Sequence, residues 1–211
     1  TRAAHSKETA VPEPIVIFDL AEVLCAGIPG VEKGLSEVFS APAEGLLAAM
    51  RGEIMDDYCR GKMTEDIFWS RTMEKNGWRG DVAAAKLALR RNLHREVPGT
   101  ADVLRELAGA GKRTFLLSDH GREWIDYLLD VHEFFGLFER LFWSFELGSI
   151  KGEADTFRKV LQELGSPDPA GVVFVDDNAT NVEVAHGEGI DAIRFTGAEA
   201  LRAELTERSL L

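Results

Sequence analysis

The sequence predicts a doubly wound α/β fold, a mostly parallel, Rossmann-like sheet with a helical cap inserted after its first strand. Three observations carry this expectation. Apolar runs without polar alternation recur at 15–18, 115–117 and 172–175, the pattern of strands buried on both faces of a parallel sheet. Helix-periodic segments lie between them, so strand and helix alternate. Each run also ends at once in polar groups: Asp19; then Ser118 and Asp119; then Asp176, Asp177 and Asn178.

Taken in chain order, the elements follow from spacing and punctuation. Two weaker strand patterns lie at 141–145 and 190–195. Ala101, Val103, Leu104, Leu107 and Ala108 share a helical face behind a Pro98-Gly99-Thr100 start signal. Phe157, Val160, Leu161 and Leu164 do the same, with Gly165 as a stop. Val182, Val184 and Ala185 mark another helix, ending near Gly187 or Gly189. From about 28 to 95 no strand is legible, and stretches at 45–61, 64–78 and 81–94 read as helices. Asp81 is the expected N-cap of the last. The expected division is a polar tail over 1–13, an α/β core over 14–27 and 96–211, and a helical cap over 28–95.

Composition narrows the partners. The chain has 211 residues, with 24 basic against 36 acidic side chains, for a net charge of −12. Such a surface does not draw nucleic acid or anionic membrane in bulk, so neither is expected as a partner. It also repels phosphate at long range, so any phosphate site must be local and strongly organised. The two cysteines, Cys25 and Cys59, have no CxxC spacing and are too few for a disulfide scaffold. A reducing cytoplasm is the expected compartment. No apolar run approaches the length of a membrane span, and the polar start lacks the apolar core of a signal peptide. The sequence carries no signal for oligomeric state.

Ligands of an open α/β sheet bind at the carboxyl ends of its strands, where the polar clusters fall. Asp19, directly after the first run, is placed to act as a nucleophile that forms an aspartyl-phosphate. Asp176 and Asp177 follow the third run. Like charges about 4 Å apart repel by about 4 kcal/mol at an effective dielectric near 20, so converging carboxylates call for a cation. An all-oxygen ligand set with room for a phosphate suits Mg²⁺. Ser118 and the backbone N–H of Asp119 are candidate phosphate holders. Lys151 can neutralise both a carboxylate and a phosphate.

Taken singly these signals are weak, but their order resembles that of the haloacid dehalogenase superfamily. The run from Phe18 and Asp19 to Leu24 is similar to the first motif, and Leu116-Leu117-Ser118-Asp119 to the second, with Asp where Asn is common. Lys151 matches the third motif, and 173–178 closely matches the fourth, metal-binding one. The resemblance covers nearly the whole chain after the tail. It implies Asp19 as nucleophile and metal ligand, the backbone carbonyl of Ala21 as a second ligand, and Asp177 as a third. Asp176 would stand beside it directly or through water, and Ser118 and Lys151 would bind phosphate. The helical insert resembles the small cap of the first subclass, and the pattern is most similar to sugar-phosphate phosphatases and the phosphatase domain of soluble epoxide hydrolases. A Mg-dependent hydrolase of a small phosphorylated metabolite is therefore expected.

The sequence departs from that pattern at one important place. Ala21 occupies the position of the second aspartate, which serves the family as general acid and base. General acid–base help is typically worth about 10²–10⁴-fold, so an unactivated alkyl phosphate is expected to turn over slowly. Glu22 is either a replacement acid or a residue facing solvent or a helix end. Gly152 stands where proline is usual, which loosens the turn presenting Lys151. His120, near the same rim, is either a proton donor or a packing residue. Two other readings remain open: a phosphate-ligand binding protein that has lost the acid, and a metal-free 2-haloacid dehalogenase, in which the Asp176-Asp177 pair would lack a purpose.

Overall fold

The computed structural model describes residues 14–211, so the tail assigned to 1–13 lies outside the described residues. In chain order the elements are β1 (Ile15–Phe18), α1 (Glu32–Phe39), α2 (Leu46–Met50), α3 (Glu53–Cys59), α4 (Glu65–Asn76), α5 (Val82–Leu93) and α6 (Thr100–Gly109). They continue with β2 (Arg113–Ser118), α7 (Arg122–Val131), β3 (Arg140–Trp143), α8 (Ser144–Leu147) and α9 (Ala154–Glu163). The chain closes with β4 (Val172–Asp176), α10 (Ala179–Gly187), β5 (Asp191–Arg194) and α11 (Ala198–Glu207).

All five strands pair in parallel, in the order β3-β2-β1-β4-β5. The chain winds outward from β1 to β3, then returns to β4 on the other side of β1. The strand order therefore reverses between β1 and β4, and a crevice opens there at their carboxyl ends. The absence of polar alternation in β1 has a direct cause. Ile15 and Ile17 join one core with Phe157 and Val160 of α9 and Ala185 of α10. Val16 and Phe18 join the opposite one with Leu104 and Leu107 of α6 and Leu201 of α11. Both faces are covered, so every β1 side chain is apolar.

The interval after β1 is helical, from α1 to α5. One expectation needs correction here. The stretch at 45–61 forms two helices, because Gly52 at φ +103° breaks the helix between α2 and α3. The other two stretches are single helices, and their caps show why. The Thr64 side chain accepts from the Ile67 N–H, and the Asp81 side chain accepts from the Ala83 N–H. The 141–145 pattern is strand only to Trp143, after which Ser144 begins α8. None of the described helices is long and apolar enough to cross a membrane.

Aromatic packing fastens these helices to α7. The Tyr58 ring stacks on Phe68 with centroids 4.8 Å apart and meets the edge of Trp124 at 4.9 Å. Glu65, 1% exposed, accepts from both indole N–H groups, Trp69 at 3.3 Å and Trp124 at 2.9 Å. The Arg90 guanidinium completes its coordination with donors at 2.9 and 2.7 Å. The insert aromatics thus serve packing, as their sequence pattern suggests. Gly121, at the start of α7, lies directly under the Tyr58 ring, and a β-carbon there would come within 1.9 Å of it. Gly121→Ala is therefore expected to destabilise the protein by about 1–3 kcal/mol through overpacking. Urea unfolding should show a lower midpoint at an unchanged slope. An unchanged midpoint would mean that the α3–α7 contact is loose.

Candidate active site

Register places the acidic groups. Phe18 of β1 is level with Val175 of β4, so Asp19 and Asp176 stand side by side one step further on. The Asp19 N–H donates to the Val175 carbonyl at 2.8 Å, which holds the carboxyl ends of β1 and β4 together. Asp177 follows, and carboxylate oxygens of Asp19, Asp176 and Asp177 lie within 4.8 Å of one another. Lys151 comes from the loop between α8 and α9 and is 2% exposed. Its ammonium sits 2.5 Å from Asp19 Oδ1 and 2.7 Å from Asp176 Oδ2. Its backbone N–H donates to Asp119 Oδ2 at 2.9 Å, so Lys151 joins the ends of β1, β2 and β4. Thr156 Oγ1 donates to the Ile150 carbonyl at 2.6 Å and holds that loop, in which Gly152 replaces the expected proline.

The charges shape the protonation equilibria. Burial pushes the Asp19 carboxyl well above the ordinary value; Lys151 opposes this and the charge of Asp176 adds to it. Asp177 is raised for the same first reason, with Asp176 again adding. Burial works to lower the Lys151 ammonium, but Asp176, Asp19 and Asp119 outweigh it and hold the group raised. Lys151 therefore stays cationic. Asp119 is pushed up to about 6 by burial, offset in part by Lys151, and its Oδ1 is buried with no hydrogen-bond partner among the described residues. Burial also raises the Cys25 and Cys59 thiols, which removes both as nucleophiles near neutral pH.

Other groups hold the site, and of these the sequence did not single out Asn181. Asn181 Nδ2 donates to Asp176 Oδ2 at 3.0 Å and to Oδ1 at 3.2 Å, while the Asn178 N–H donates to Oδ1 at 2.7 Å. Asn178 itself caps α10. The readable signal was two asparagines three apart at a helix start, which puts both beside the preceding strand end. Ser118 is fully buried, and its Oγ lies 2.6 Å from His120 Nδ1. His120 and Asp119 line the cavity, whereas Ser118 does not.

Ala21 lines the cavity beside Asp19 and Asp177. Glu22 takes a left-handed conformation at φ +58°, and its Oε1 accepts from the Gly27 N–H at 2.7 Å. Glu22 also lines the cavity, with that oxygen engaged in clamping its own loop. Further bonds fix the same loop: Leu24 N–H to the Leu20 carbonyl at 2.9 Å, and Val97 N–H to the Leu24 carbonyl at 2.9 Å.

Residues 14–189 match the family model of haloacid dehalogenase-like hydrolases, and the chain belongs to that family. Among curated proteins it is similar to a sesquiterpene phosphatase of Aspergillus oryzae, 25% identical over 191 residues that cover 90% of this chain and 94% of that one. It is also similar to a drimenol cyclase of Aspergillus calidoustus, 28% identical over 160 residues. That match takes in 74% of this chain but spans only 30% of the cyclase. Solved structures share the fold. A HAD family enzyme of Bacteroides thetaiotaomicron superposes with a TM-score of 0.73 at 21% identity, over 88% of this chain and 94% of that one. A structure of that enzyme in complex with magnesium and inorganic phosphate gives 0.72 at 18% identity, over 88% and 95%. A predicted HAD-like hydrolase of Porphyromonas gingivalis gives 0.75 at 20% identity, over 93% and 98%.

Burial pushes the His120 imidazole down to about 3, and Lys151 adds to this, so His120 stays neutral across the physiological range. The sign follows from linkage. The unfolded chain binds this proton near the ordinary histidine value and the folded chain does not. The stability His120 contributes is therefore present above the unfolded pKa and is lost as pH falls toward 3. Asp119 acts oppositely, its contribution being present below the ordinary carboxylate value and lost as pH rises through about 6. His120→Gln is expected to flatten the acid limb of stability between about 6.5 and 3, read from urea midpoints at successive pH values. An acid limb unchanged by the substitution would show that His120 titrates as an exposed histidine.

Proposed function

We propose that the chain is a Mg²⁺-dependent phosphatase that hydrolyses a small phosphorylated metabolite through an aspartyl-phosphate at Asp19. The observation that carries the reading is the cluster of three carboxylates within 4.8 Å, two of them bridged by one buried lysine, at the point where the strand order reverses. Asp19, Asp176, Asp177 and the backbone carbonyl of Ala21 form an oxygen-only set, which fits Mg²⁺. When bound there, the ion would offset charge that Lys151 alone leaves uncompensated and let an anionic phosphate approach. The name of the Aspergillus oryzae relative and the magnesium and phosphate held by the Bacteroides enzyme support the reading.

In this scheme residues 14–27 and 96–211 act as the core, and 28–95 as a cap of the first-subclass kind over the strand ends. Phosphate oxygens are held by Lys151, the backbone of Asp119 and Ser118, whose hydroxyl must turn from His120 to reach them. A carboxylate oxygen of Asp19 attacks phosphorus while the ester P–O bond breaks. The departing alkoxide takes its proton from water, because Ala21 offers none. A second water then attacks the phosphorus of the aspartyl-phosphate, which frees inorganic phosphate and restores Asp19, with the proton passing to solvent. The two buried, free thiols fit a reducing, cytoplasmic setting.

Ala21 favours one second reading, a protein that binds the phosphate ligand and turns it over weakly or not at all. Leaving-group chemistry separates the two. Acetyl phosphate, whose leaving group needs little protonation, should be hydrolysed rapidly with Mg²⁺ by wild type and not by Asp19→Asn. Ala21→Asp should raise kcat on an unactivated alkyl phosphate by about 10²–10⁴-fold and change acetyl phosphate hydrolysis far less. Full activity in Asp19→Asn would overturn the mechanism. No hydrolysis of acetyl phosphate by wild type would leave only the binding reading.

Metal and protons should compete, because Asp19 and Asp177 are both raised and bind Mg²⁺ only when ionised. The Mg²⁺-induced rise in unfolding temperature is therefore expected to be larger at pH 8 than at pH 5 and to shrink in Asp177→Asn. An equal rise at both pH values would place the ion elsewhere.

A further inference from the structure

The open cavity over Asp19 has a volume of about 470 Å³, within the rough 300–1,000 Å³ range of small-molecule sites. Its floor is the polar cluster already described, but its walls are not. Leu47, Met50 and Met55 face it from α2 and α3, Trp124 from α7, and Ile28 and Ile150 from the flanking loops. Met50, Met55 and Trp124 belong to the main buried core. Glu65 holds the Trp124 indole N–H, so its only polar atom is already satisfied. The insert adds two charged groups to the lining, Arg51, which is exposed, and Asp56, which is half-buried.

These walls suit carbon better than hydroxyl. A sugar phosphate carries a hydroxyl on nearly every carbon, and each one buried without a partner weakens binding by roughly one to two orders of magnitude. A methylene buried on the same wall strengthens binding about fourfold. We propose that the site selects the monophosphate ester of a hydrocarbon alcohol, alkyl or isoprenoid. The phosphate lies on the Asp19–Lys151 floor and the chain lies against α2, α3 and Trp124. The proposal takes its phosphate position from the phosphatase reading, and it departs from the sugar-phosphate likeness of the motifs.

The test uses non-hydrolysable probes, so it does not depend on turnover. The full chain with Mg²⁺ is titrated calorimetrically with butyl-, hexyl-, octyl- and decylphosphonate and with glucose 6-phosphate. The dissociation constant should fall about fourfold per methylene, and hexylphosphonate should bind more tightly than glucose 6-phosphate. Affinity independent of chain length, or tighter binding of the sugar phosphate, would overturn the proposal. A folded Leu47→Gln protein should show a shallower dependence, and one that keeps the full slope would also overturn it. Acetyl phosphate hydrolysis measured alongside separates the two readings. A sloped series without hydrolysis supports this proposal and rejects the phosphatase, and hydrolysis with a flat series does the reverse.

Discussion

The site is organised by one buried ammonium. Lys151 touches Asp19 and Asp176 through its side chain and Asp119 through its backbone, so one residue ties the ends of three neighbouring strands together. A charge so deeply buried persists only when paired and fully hydrogen-bonded. The pairing is nonetheless incomplete. Among the described residues, Asp19, Asp119, Asp176 and Asp177 face a single cation, Lys151, and the raised carboxyls of Asp19, Asp119 and Asp177 record the strain. Two remedies relieve it: protonation, or a divalent ion among oxygen ligands. The first operates in acid, and the second is available at neutral pH.

Around this centre the chain is held firmly. Asn181 and the Asn178 N–H fix Asp176, while His120 engages Ser118. The Glu22 clamp on Gly27 fixes the loop that carries Ala21. Glu65 and Tyr58 tie the inserted helices to α7. In the proposed mechanism the nucleophile, the phosphate-neutralising lysine and the ion site would thus be pre-positioned, which is the larger share of what phosphoryl transfer asks of a protein. Proton supply to the leaving group is the part this chain lacks at Ala21. That shortfall weighs most on alkyl esters, whose alkoxides are poor leaving groups, and least on activated ones.

Much of this is legible in the sequence because parallel sheets leave a plain pattern. Strands covered on both faces lose alternation, so 15–18, 115–117 and 172–175 stood out, and the polar residues ending them had to share one rim. Asp19, Lys151, Asp176 and Asp177 all lie at that rim. What could not be read depended on long-range contacts or on backbone conformation. The break at Gly52 needs a positive φ, which no periodicity reports. The link between Ser118 and His120 depends on side-chain direction across a turn, and the apolar walls depend on how α2, α3 and α7 meet. Glu22 was ambiguous for the same reason, since its partner Gly27 lies five residues on, across a turn.

The proposed mechanism stands or falls on covalent phosphorylation of Asp19. Its most direct test is mass spectrometry of the protein acid-quenched during turnover of acetyl phosphate with Mg²⁺. One phosphoryl group is expected, carried on the peptide that contains Asp19. Phosphate release with no phosphoryl-protein, or with the group on a different residue, would contradict it.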